Sequence, residues 1–291
     1  MSSKLAVVTV TYSPGEHLEH FLRTLDDATS EKPQVVMADN GSTDGAPEAA
    51  EASHPRARLL RTGGNIGYGG AVNRAAAEID DDIEFLVVAN PDVRWSPGAL
   101  DALVDAAERW PRAGALGPLV REPDGSVYPS AREVPGLVSG AGHAVLGKVW
   151  PGNPWTTRYR QEREAVGERA VGWLSGSCLL LRRSAFDSIS GFDSRYFMYM
   201  EDVDLGDRLG RAGWLNVYVP TAEVTHAKGH AAGRHPELML PAHHRSAYRF
   251  QADRHPHVWQ APLRLALRIG LAVRSKVAVA AAVRARRDGS D

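Results

Sequence analysis

The sequence is poor in cysteine, and Cys178 is the only one among its 291 residues. A single cysteine cannot form an internal disulfide framework, and it cannot supply a cysteine-cluster metal site. The shortage fits a reducing compartment, in which thiols stay reduced. Both disulfide-stabilised folds and cysteine-based metal domains are therefore excluded.

Long apolar runs and an excess of one charge are missing as well. No uncharged stretch is long enough to cross a bilayer, and the apolar run at 5–10 is too short for a secretory signal core. We therefore expect a cytosolic protein. The formal net charge of -1 excludes a globally basic nucleic-acid binder, so no nucleic-acid partner is predicted. With 43% hydrophobic and 24% charged residues, the composition is that of a folded soluble protein.

The first half of the chain alternates between two apolar patterns. Short uninterrupted apolar runs predict buried strands at 5–10, 35–38, 58–61, 85–89 and 115–120. Patterns with helical spacing lie between them, including 68–79 and 97–109. Such alternation predicts βαβ units and a mostly parallel sheet. The stretch at 121–170 has no clear period and suggests long loops over a cleft, after which regularity returns at 173–183 and in a helix at 201–213.

The glycine-rich segment at 63–75 opens a predicted helix. It lacks the Walker ending and the dinucleotide GxGxxG spacing, so neither of those phosphate-binding motifs is present. Glycines at a helix start still let backbone N–H groups approach a phosphate, whose charge the helix dipole favours. Asp39, at the end of the second strand, is placed for a nucleobase or ribose. The turn and cap residues that follow it favour a structural loop when they are considered alone.

The strand at 85–89 ends in Asn90, Pro91 and Asp92. Proline cannot donate to a sheet ladder, so the strand must stop there and Asp92 lies at the lip of the sheet. One interpretation is an ordinary turn. The other is a magnesium site, because Mg²⁺ is commonly held by one carboxylate and the phosphates of a substrate.

A group of acidic residues and a group of histidines lie further along the chain. Glu201, Asp202 and Asp204 open a helix, where the dipole favours acidic side chains. One of these carboxylates could instead face a substrate hydroxyl as a general base. His226 and His230 are candidate metal ligands, although a lone histidine is more often structural.

The segment at 261–287 carries seven Lys or Arg residues and no Asp or Glu. Apolar side chains lie between the cations, a pattern typical of a helix at a membrane surface. Each cation near anionic lipid contributes about 1 kcal/mol to binding. A packed terminal helix with a solvated basic face explains the pattern equally well.

Taken in order, these motifs resemble the family 2 inverting glycosyltransferases with the GT-A nucleotide-diphospho-sugar fold. The resemblance covers about residues 4 to 255 and is carried by 9–12, 39–44, 65–70, 90–92, 173–176 and 201–204. It implies an α/β fold with a mostly parallel central sheet flanked by helices. It also implies a catalytic domain at 1–235, with a donor half at about 1–120 and an acceptor half at about 121–235. A basic, membrane-associating helical segment is expected at 236–291.

The same resemblance assigns roles to individual residues. Donor binding is expected from Thr11, Tyr12, Asp39, Asn65, Gly67, Tyr68, Asn90 and Asp92. Acceptor binding is expected from Trp173, Ser175, Gly176 and Glu201. Asp202 would be the catalytic base, and Asp92 with His226 would hold a divalent metal, Mg²⁺ or Mn²⁺. Asn90 stands where the family's DxD motif has its first aspartate, so weaker metal binding is expected.

Within the family, the stretches 109–118, 124–132 and 190–209 look like those of the rhamnosyltransferases of cell-wall linker synthesis. That resemblance implies inverting transfer of L-rhamnose from dTDP-β-L-rhamnose to the 3-hydroxyl of a lipid-linked N-acetylglucosaminyl diphosphate. It also implies a cytoplasmic enzyme that is peripheral on the inner face of the plasma membrane. A transferase that uses a UDP-sugar and a non-catalytic nucleotide-sugar binder are the alternatives, and the oligomeric state is left open.

Overall fold

The apolar runs of the first half form the parallel part of one large sheet. The computed structural model describes residues 4–137, 167–227 and 236–288. The first four strands are β1 (Leu5–Thr11), β2 (Gln34–Asp39), β3 (Ala57–Arg61) and β4 (Phe85–Ala89). They lie in the order β3-β2-β1-β4, and neighbours are parallel. The helices between them are α1 (His17–Ala28), α2 (Ala46–Ser53) and α3 (Tyr68–Ala76).

The second half extends the sheet beyond β4. Its first elements are β5 (Val93–Trp95), α4 (Ala99–Arg109), β6 (Ala113–Arg121), β7 (Val127–Tyr128) and β8 (Ala131–Arg132). They are followed by β9 (Arg169–Val171), β10 (Trp173–Leu174), β11 (Cys178–Arg182), α5 (Arg183–Ser188), α6 (Glu201–Arg211) and β12 (Leu215–His226). β11 lies between β4 and β6 and is antiparallel to both, whereas β12 is parallel to β6. The predicted mostly parallel α/β sheet is confirmed, although the single segment expected at 173–183 is divided, since β10 pairs with β8 outside the main sheet.

Strand β1 shows why its sequence is apolar at nearly every position. Leu5 and Val7 join a core that includes residues of α1 and α4, while Ala6 and Val8 join a second core that includes residues of α3. All four side chains are at most 1% exposed. A strand covered on both faces has no solvent-facing side, so most of its residues are apolar, and its two threonines, Thr9 and Thr11, are buried as well. Its carboxyl end is left open at the sheet edge, which is where such folds bind ligands.

Two long helices follow the sheet, α7 (Pro236–Arg254) and α8 (Ala261–Asp288), with a 3-10 turn at Val258–Gln260 between them. Phe250 holds α7 to the body, because it packs in a small core with Trp173, Tyr196 and Val203. α8 packs along α7. Within the three described ranges, no helix combines the length and the apolarity needed to cross a bilayer.

The predicted boundary between a catalytic domain and a C-terminal segment, at 235 and 236, lies at the edge of 228–235, which is outside the described residues. That division of the chain stays a prediction.

Candidate active site

The carboxyl ends of β1 and β2 meet in a network of hydrogen bonds. The sheet register places Thr11 beside Asp39, and the Thr11 hydroxyl donates to Asp39 Oδ1 at 2.9 Å. The Ser42 backbone N–H donates to both Asp39 carboxylate oxygens, at 3.1 and 3.2 Å, and Arg61 lies 3.6 Å from Oδ2. These bonds fold the loop after β2 back onto the strand end, while Tyr12 stays exposed. Donor contacts by Thr11, Tyr12 and Asp39 stay a prediction.

The glycine-rich segment is held against the loop that precedes α6. Gly67 has a φ of 81°, and a Cβ there would clash with the carbonyl oxygen of Phe197. Only glycine fits this close approach. The Tyr68 backbone N–H donates to the same carbonyl oxygen at 3.3 Å. Asn65 Oδ1 accepts the Gly67 N–H at 3.1 Å, and the Asn40 side-chain amide donates to the Gly67 carbonyl at 3.1 Å. The predicted donor loop therefore touches the predicted acceptor side.

Tyr68, Gly176 and Asp202 form a second link between the two sides. The Tyr68 hydroxyl donates to the Gly176 carbonyl at 2.7 Å, and burial raises the pKa of Tyr68 well above its ordinary value. The phenol therefore stays protonated and remains a donor. The N–H of Gly176 donates to Asp202 Oδ2 at 3.0 Å, and the N–H of Val203 donates to Oδ1 at 2.8 Å. Both oxygens of the predicted base are thus oriented by backbone groups.

Asp92 and His226 meet because β5 pairs with β12. The antiparallel register puts Val93 opposite His226, and Asp92 Oδ1 lies 3.0 Å from His226 Nε2. The Asn90 amide nitrogen lies 3.2 Å from the same ring nitrogen. Burial raises the pKa of Asp92, but the hydrogen bond and the charge of His226 outweigh burial and hold that pKa below its ordinary value.

This carboxylate–imidazole pair fits a divalent cation as a half-site. The second ring nitrogen, His226 Nδ1, is buried and has no hydrogen-bond partner in the described part of the chain. One or two protein ligands suffice for Mg²⁺ when substrate phosphates complete the coordination. Across the described ranges, no group of three or more His, Cys, Asp and Glu side chains is arranged to hold a metal. His230, the other candidate ligand in the sequence, lies outside the described residues.

Glu201 and Asp202 begin α6 directly after a strained turn. Tyr199 and Met200 have φ values of 66° and 67°, a left-handed conformation that costs a non-glycine residue about 1–2 kcal/mol. Burial, together with the charge of Asp202, raises the pKa of Glu201 to about 8. Burial also raises the pKa of Asp202, against the lowering effect of its N–H donors. Two neighbouring desolvated carboxyl groups resist ionising together, so this helix start can retain a proton near neutral pH.

The remaining predicted acceptor residues lie in β10 and in the turn between β10 and β11. Trp173 is only 5% exposed, and its indole N–H donates to the Glu133 carbonyl at 3.0 Å. Gly206 of α6 lies directly against the Trp173 side chain. Ser175 Oγ lies 3.2 Å from Ser177 Oγ. The structure therefore places Trp173 as a support beneath α6, and the acceptor contacts of this segment stay predictions.

Arg132 is a candidate that the motifs did not indicate. Its guanidinium lies 5.3 Å from the centroid of the Trp173 ring. Burial is the main influence on the pKa of Asp202 and raises it, whereas the charge of Arg132 acts in the opposite direction. The stretch 124–132, which ends in Arg132, carries part of the resemblance but assigns Arg132 no role, so only the fold reveals this proximity.

The chain is similar to known proteins over nearly its whole length. The family model for glycosyl transferase family 2 matches residues 6–190. The N-acetylglucosaminyl-diphospho-decaprenol L-rhamnosyltransferase of Mycobacterium tuberculosis (strain ATCC 25618 / H37Rv) is 61% identical over 293 residues, which cover 98% of this chain and 95% of that relative. A rhamnosyltransferase of Escherichia coli (strain K12) is 26% identical over 253 residues, which cover 84% of this chain and 92% of that relative.

Solved structures share the fold at lower identity. The mannosyltransferase PcManGT from Pyrobaculum calidifontis, in complex with GDP-Man and Mn²⁺, aligns with a TM-score of 0.57 and 17% identity over 98% of this chain and 80% of its own. GalNAc-T7 with UDP, GalNAc and Mn²⁺ aligns with a TM-score of 0.58 and 13% identity over 78% of this chain and 43% of its own. The predicted GT-A fold is confirmed by these likenesses. The chain belongs to glycosyl transferase family 2 and is a glycosyltransferase.

Proposed function

We propose that this protein transfers L-rhamnose from dTDP-β-L-rhamnose to the 3-hydroxyl of an N-acetylglucosaminyl-diphospho-polyprenol, in synthesis of the arabinogalactan linker of the cell wall. The observation that carries the proposal is the 61% identity to the L-rhamnosyltransferase of M. tuberculosis. Because the matched region leaves out almost no part of either chain, it includes the donor and acceptor sides together. The E. coli relative, a rhamnosyltransferase at 26% identity, supports the same sugar.

Asp202 is the proposed general base. Its carboxylate is fixed by the N–H groups of Gly176 and Val203, and burial raises its pKa, which makes it a stronger proton acceptor. Asp202 takes the proton of the acceptor hydroxyl while that oxygen attacks the anomeric carbon in line and the bond to the diphosphate breaks. A single displacement inverts the anomeric centre, so a β donor gives an α-rhamnoside.

Glu201 is the proposed partner of Asp202 in acceptor binding. With a pKa of about 8 its carboxyl group is largely protonated at neutral pH. Its Oε2 is buried and has no hydrogen-bond partner among the described residues. A neutral carboxyl group with a free oxygen can donate to one sugar oxygen while its ionised neighbour accepts a proton from another.

Asp92 and His226 are the proposed ligands of Mg²⁺ or Mn²⁺, with the donor's phosphates completing the coordination. When bound, the cation would supply positive charge that stabilises the departing dTDP. The Mn²⁺ in two solved glycosyltransferases of this fold supports a divalent ion. Asn90 adds no charge at its position, which supports weaker binding than two carboxylates would give.

Two variants test this site. Asp92→Ala should lower metal-supported turnover by at least about 100-fold, because charge stabilisation of the leaving group is worth several kcal/mol. Asn90→Asp is the matched variant and should lower the Mn²⁺ concentration needed for half-maximal activity. Metal-supported turnover that is unchanged in Asp92→Ala would contradict the assignment.

Helix α8 is the proposed contact with the membrane. Leu265, Ile269, Val273 and Val277 recur every four residues and are between 56% and 63% exposed, and Trp259 just before the helix is 76% exposed. An exposed apolar stripe among cations fits the headgroup boundary of an anionic bilayer. This supports peripheral attachment at the cytoplasmic face, where a polyprenyl-linked acceptor would be reached.

The experiment that tests the proposed function is a transfer assay with purified protein, a lipid-linked N-acetylglucosaminyl diphosphate and a panel of dTDP- and UDP-sugars, with and without a chelator. We expect product from dTDP-rhamnose alone, loss of product with chelator, and recovery on adding Mn²⁺. The Asp202→Asn protein, purified in parallel, controls for a contaminating transferase.

The alternatives give different results in the same assay. Product from a UDP-sugar would overturn the rhamnose donor and retain the transferase chemistry. Donor binding without product from any sugar nucleotide would favour a non-catalytic binding protein.

A further inference from the structure

A cleft is formed by parts of α7 and α8 together with the loop that precedes α6, and it does not belong to the candidate active site. It has a volume of about 720 Å³ and opens beside the loop that precedes α6. Five cationic side chains line it: Arg195, Arg245, Arg249, Arg268 and Lys276. The cleft therefore has the concave form and the charge of an anion-binding site.

Most of this charge is uncompensated. Asp253 is the only carboxylate among the cleft-lining residues, and it already accepts Arg195 Nη2 at 2.8 Å. The other four cations make no ion pair with any residue in the described part of the chain. Several arginines elsewhere in the described part of the chain are paired; Arg58, for example, lies 2.9 Å from Glu78. Like charges in one cleft repel one another, and a bound polyanionic ligand would offset that repulsion.

The cleft borders the proposed acceptor side of the active site. Phe197 lines the cleft, and its carbonyl oxygen accepts the Tyr68 N–H on the other side of the loop. Ser246 of α7, which also lines the cleft, donates to the Met198 carbonyl at 2.9 Å. Three residues after Met198, α6 begins with Glu201 and continues with Asp202. The loop that precedes α6 therefore borders the cationic cleft and leads directly to the proposed base.

The cleft also lies beside the exposed face of α8. Arg268, Leu271, Ala272, Ser275 and Lys276 turn toward α7 and line the cleft. The apolar stripe defined above recurs at other positions of the same helix and points to solvent. A ligand in the cleft would therefore lie next to the face proposed to contact lipid.

We propose that this cleft binds the diphosphate of the lipid-linked acceptor, an inference that rests on the proposed function. In such an acceptor the diphosphate joins the sugar that attacks to the lipid that stays in the membrane. The sugar would reach Asp202 while the diphosphate lies against Arg245, Arg249, Arg268 and Lys276. Guanidinium groups bind phosphate oxygens in pairs, which suits a diphosphate better than a neutral glycan.

The test compares two acceptors that differ in the diphosphate. One is N-acetylglucosaminyl diphosphate on a short, water-soluble prenyl chain, and the other is an alkyl glycoside of N-acetylglucosamine with the same tail length. The variants are Arg245→Gln/Arg249→Gln on α7 and Arg268→Gln/Lys276→Gln on α8. Arg274→Gln is the matched control, because Arg274 is an exposed cation of α8 that does not line the cleft.

We expect each double variant to raise KM for the diphosphate acceptor by roughly tenfold or more, because hydrogen bonds to charged groups are lost. KM for the alkyl glycoside, KM for the donor and the effect of Arg274→Gln should change little. An equal rise for both acceptors would overturn the proposal in favour of a structural role. A rise in KM for the donor alone would assign the cleft to the nucleotide sugar, which also overturns it.

Binding without turnover separates this inference from the proposed function. The short-chain diphosphate acceptor is titrated into wild-type protein and into both double variants by calorimetry, with no donor present. Binding that weakens in the variants supports the cleft even if the transfer assay finds another donor sugar. Equal binding by wild type and variants overturns the cleft assignment even if rhamnose transfer is confirmed.

Discussion

The carboxylates of the candidate active site are bonded to protein groups, whereas the cleft-lining cations of the two C-terminal helices have no ion-pair partner among the described residues. Asp39 and Asp92 at the strand ends, and Asp202 in the first turn of α6, each accept bonds from fixed protein groups. Along α7 and α8, cations such as Arg249 and Arg268 point into a cleft with no ion pair to another described residue. The first arrangement positions atoms for chemistry, and the second creates a field for an anion. Substitutions of these carboxylates should therefore have large and specific effects, and those of cations on α7 and α8 smaller and graded ones.

The largest expected effect comes from replacing the proposed base. Asp202→Asn keeps the size and shape of the side chain but cannot accept a proton, and its single amide oxygen can accept only one of the two backbone N–H groups that bond to Asp202. General-base catalysis is typically worth roughly 10²–10⁴-fold, so kcat should fall by about that factor while the Kd for the donor stays unchanged. Rapid-quench turnover and donor titration measure the two quantities separately. A normal kcat would move the base to Glu201 or Asp204.

The pH dependence of kcat/KM tests whether the proposed base is buried. A base works in its ionised form, so activity is present above its pKa and is lost as the pH falls through it. Because burial raises the pKa of Asp202, the acid limb of kcat/KM should lie above the ordinary aspartate value of about 3.9. The rate should fall about tenfold for each pH unit below that limb. A limb at the ordinary value, measured with the soluble acceptor, would show that the base is not desolvated.

Gly67→Ala tests how firmly the donor loop and the acceptor loop are joined. Alanine is strained at a φ of 81°, and its Cβ would collide with the carbonyl oxygen of Phe197. We expect a loss of about 1–3 kcal/mol in the free energy of unfolding, measured with denaturant. Gly210→Ala is the control, since no atom lies within 4 Å of a Cβ in that helix. Alanine there should be neutral or stabilising by up to about 1 kcal/mol.

The smallest effect is expected on the exposed stripe of α8. Ile269→Ser should weaken binding to anionic vesicles by roughly fivefold, because one apolar side chain no longer enters the headgroup boundary. Val127→Ser is the control, since Val127 is an exposed apolar residue of the sheet. Activity on a soluble acceptor should not change. Equal vesicle binding by Ile269→Ser and wild type would remove α8 from the proposed membrane contact.

Strands covered on both faces could be predicted from the sequence alone. The runs at 5–10 and 85–89 are apolar at almost every position, and both are central strands of the sheet. β11 and β5 could not be placed in this way. β11 has the same apolar texture as its parallel neighbours, so its reversed direction leaves no trace in composition. β5 is only three residues long and follows a proline turn, which hides it from any pattern of alternation.

In the candidate site, the carboxylates could be predicted from the sequence, but their bonding partners could not. Asp39, Asp92 and Asp202 follow recognisable strand or helix boundaries, so their side chains could be singled out in advance. Their partners come from distant segments, and no local pattern connects Gly176 with Asp202 or Arg132 with Trp173. Trp173 could be singled out by its motif, which suggested a ligand contact, but its burial could not be predicted from the sequence. Burial depends on the packing of α6 and α7, which a single sequence does not display.

The pairing of β5 with β12 joins a segment that is synthesised early to one that is synthesised late. Asn90 and His226, joined at the end of these strands, are 136 positions apart in the chain. Proteins emerge from the ribosome with the N-terminal part first, at about 5–20 residues per second. A nascent chain whose donor-side strands have left the ribosome contains Asp92 but does not yet contain His226. The contact between Asp92 and His226 can therefore form only after β12 has emerged and has paired with β5.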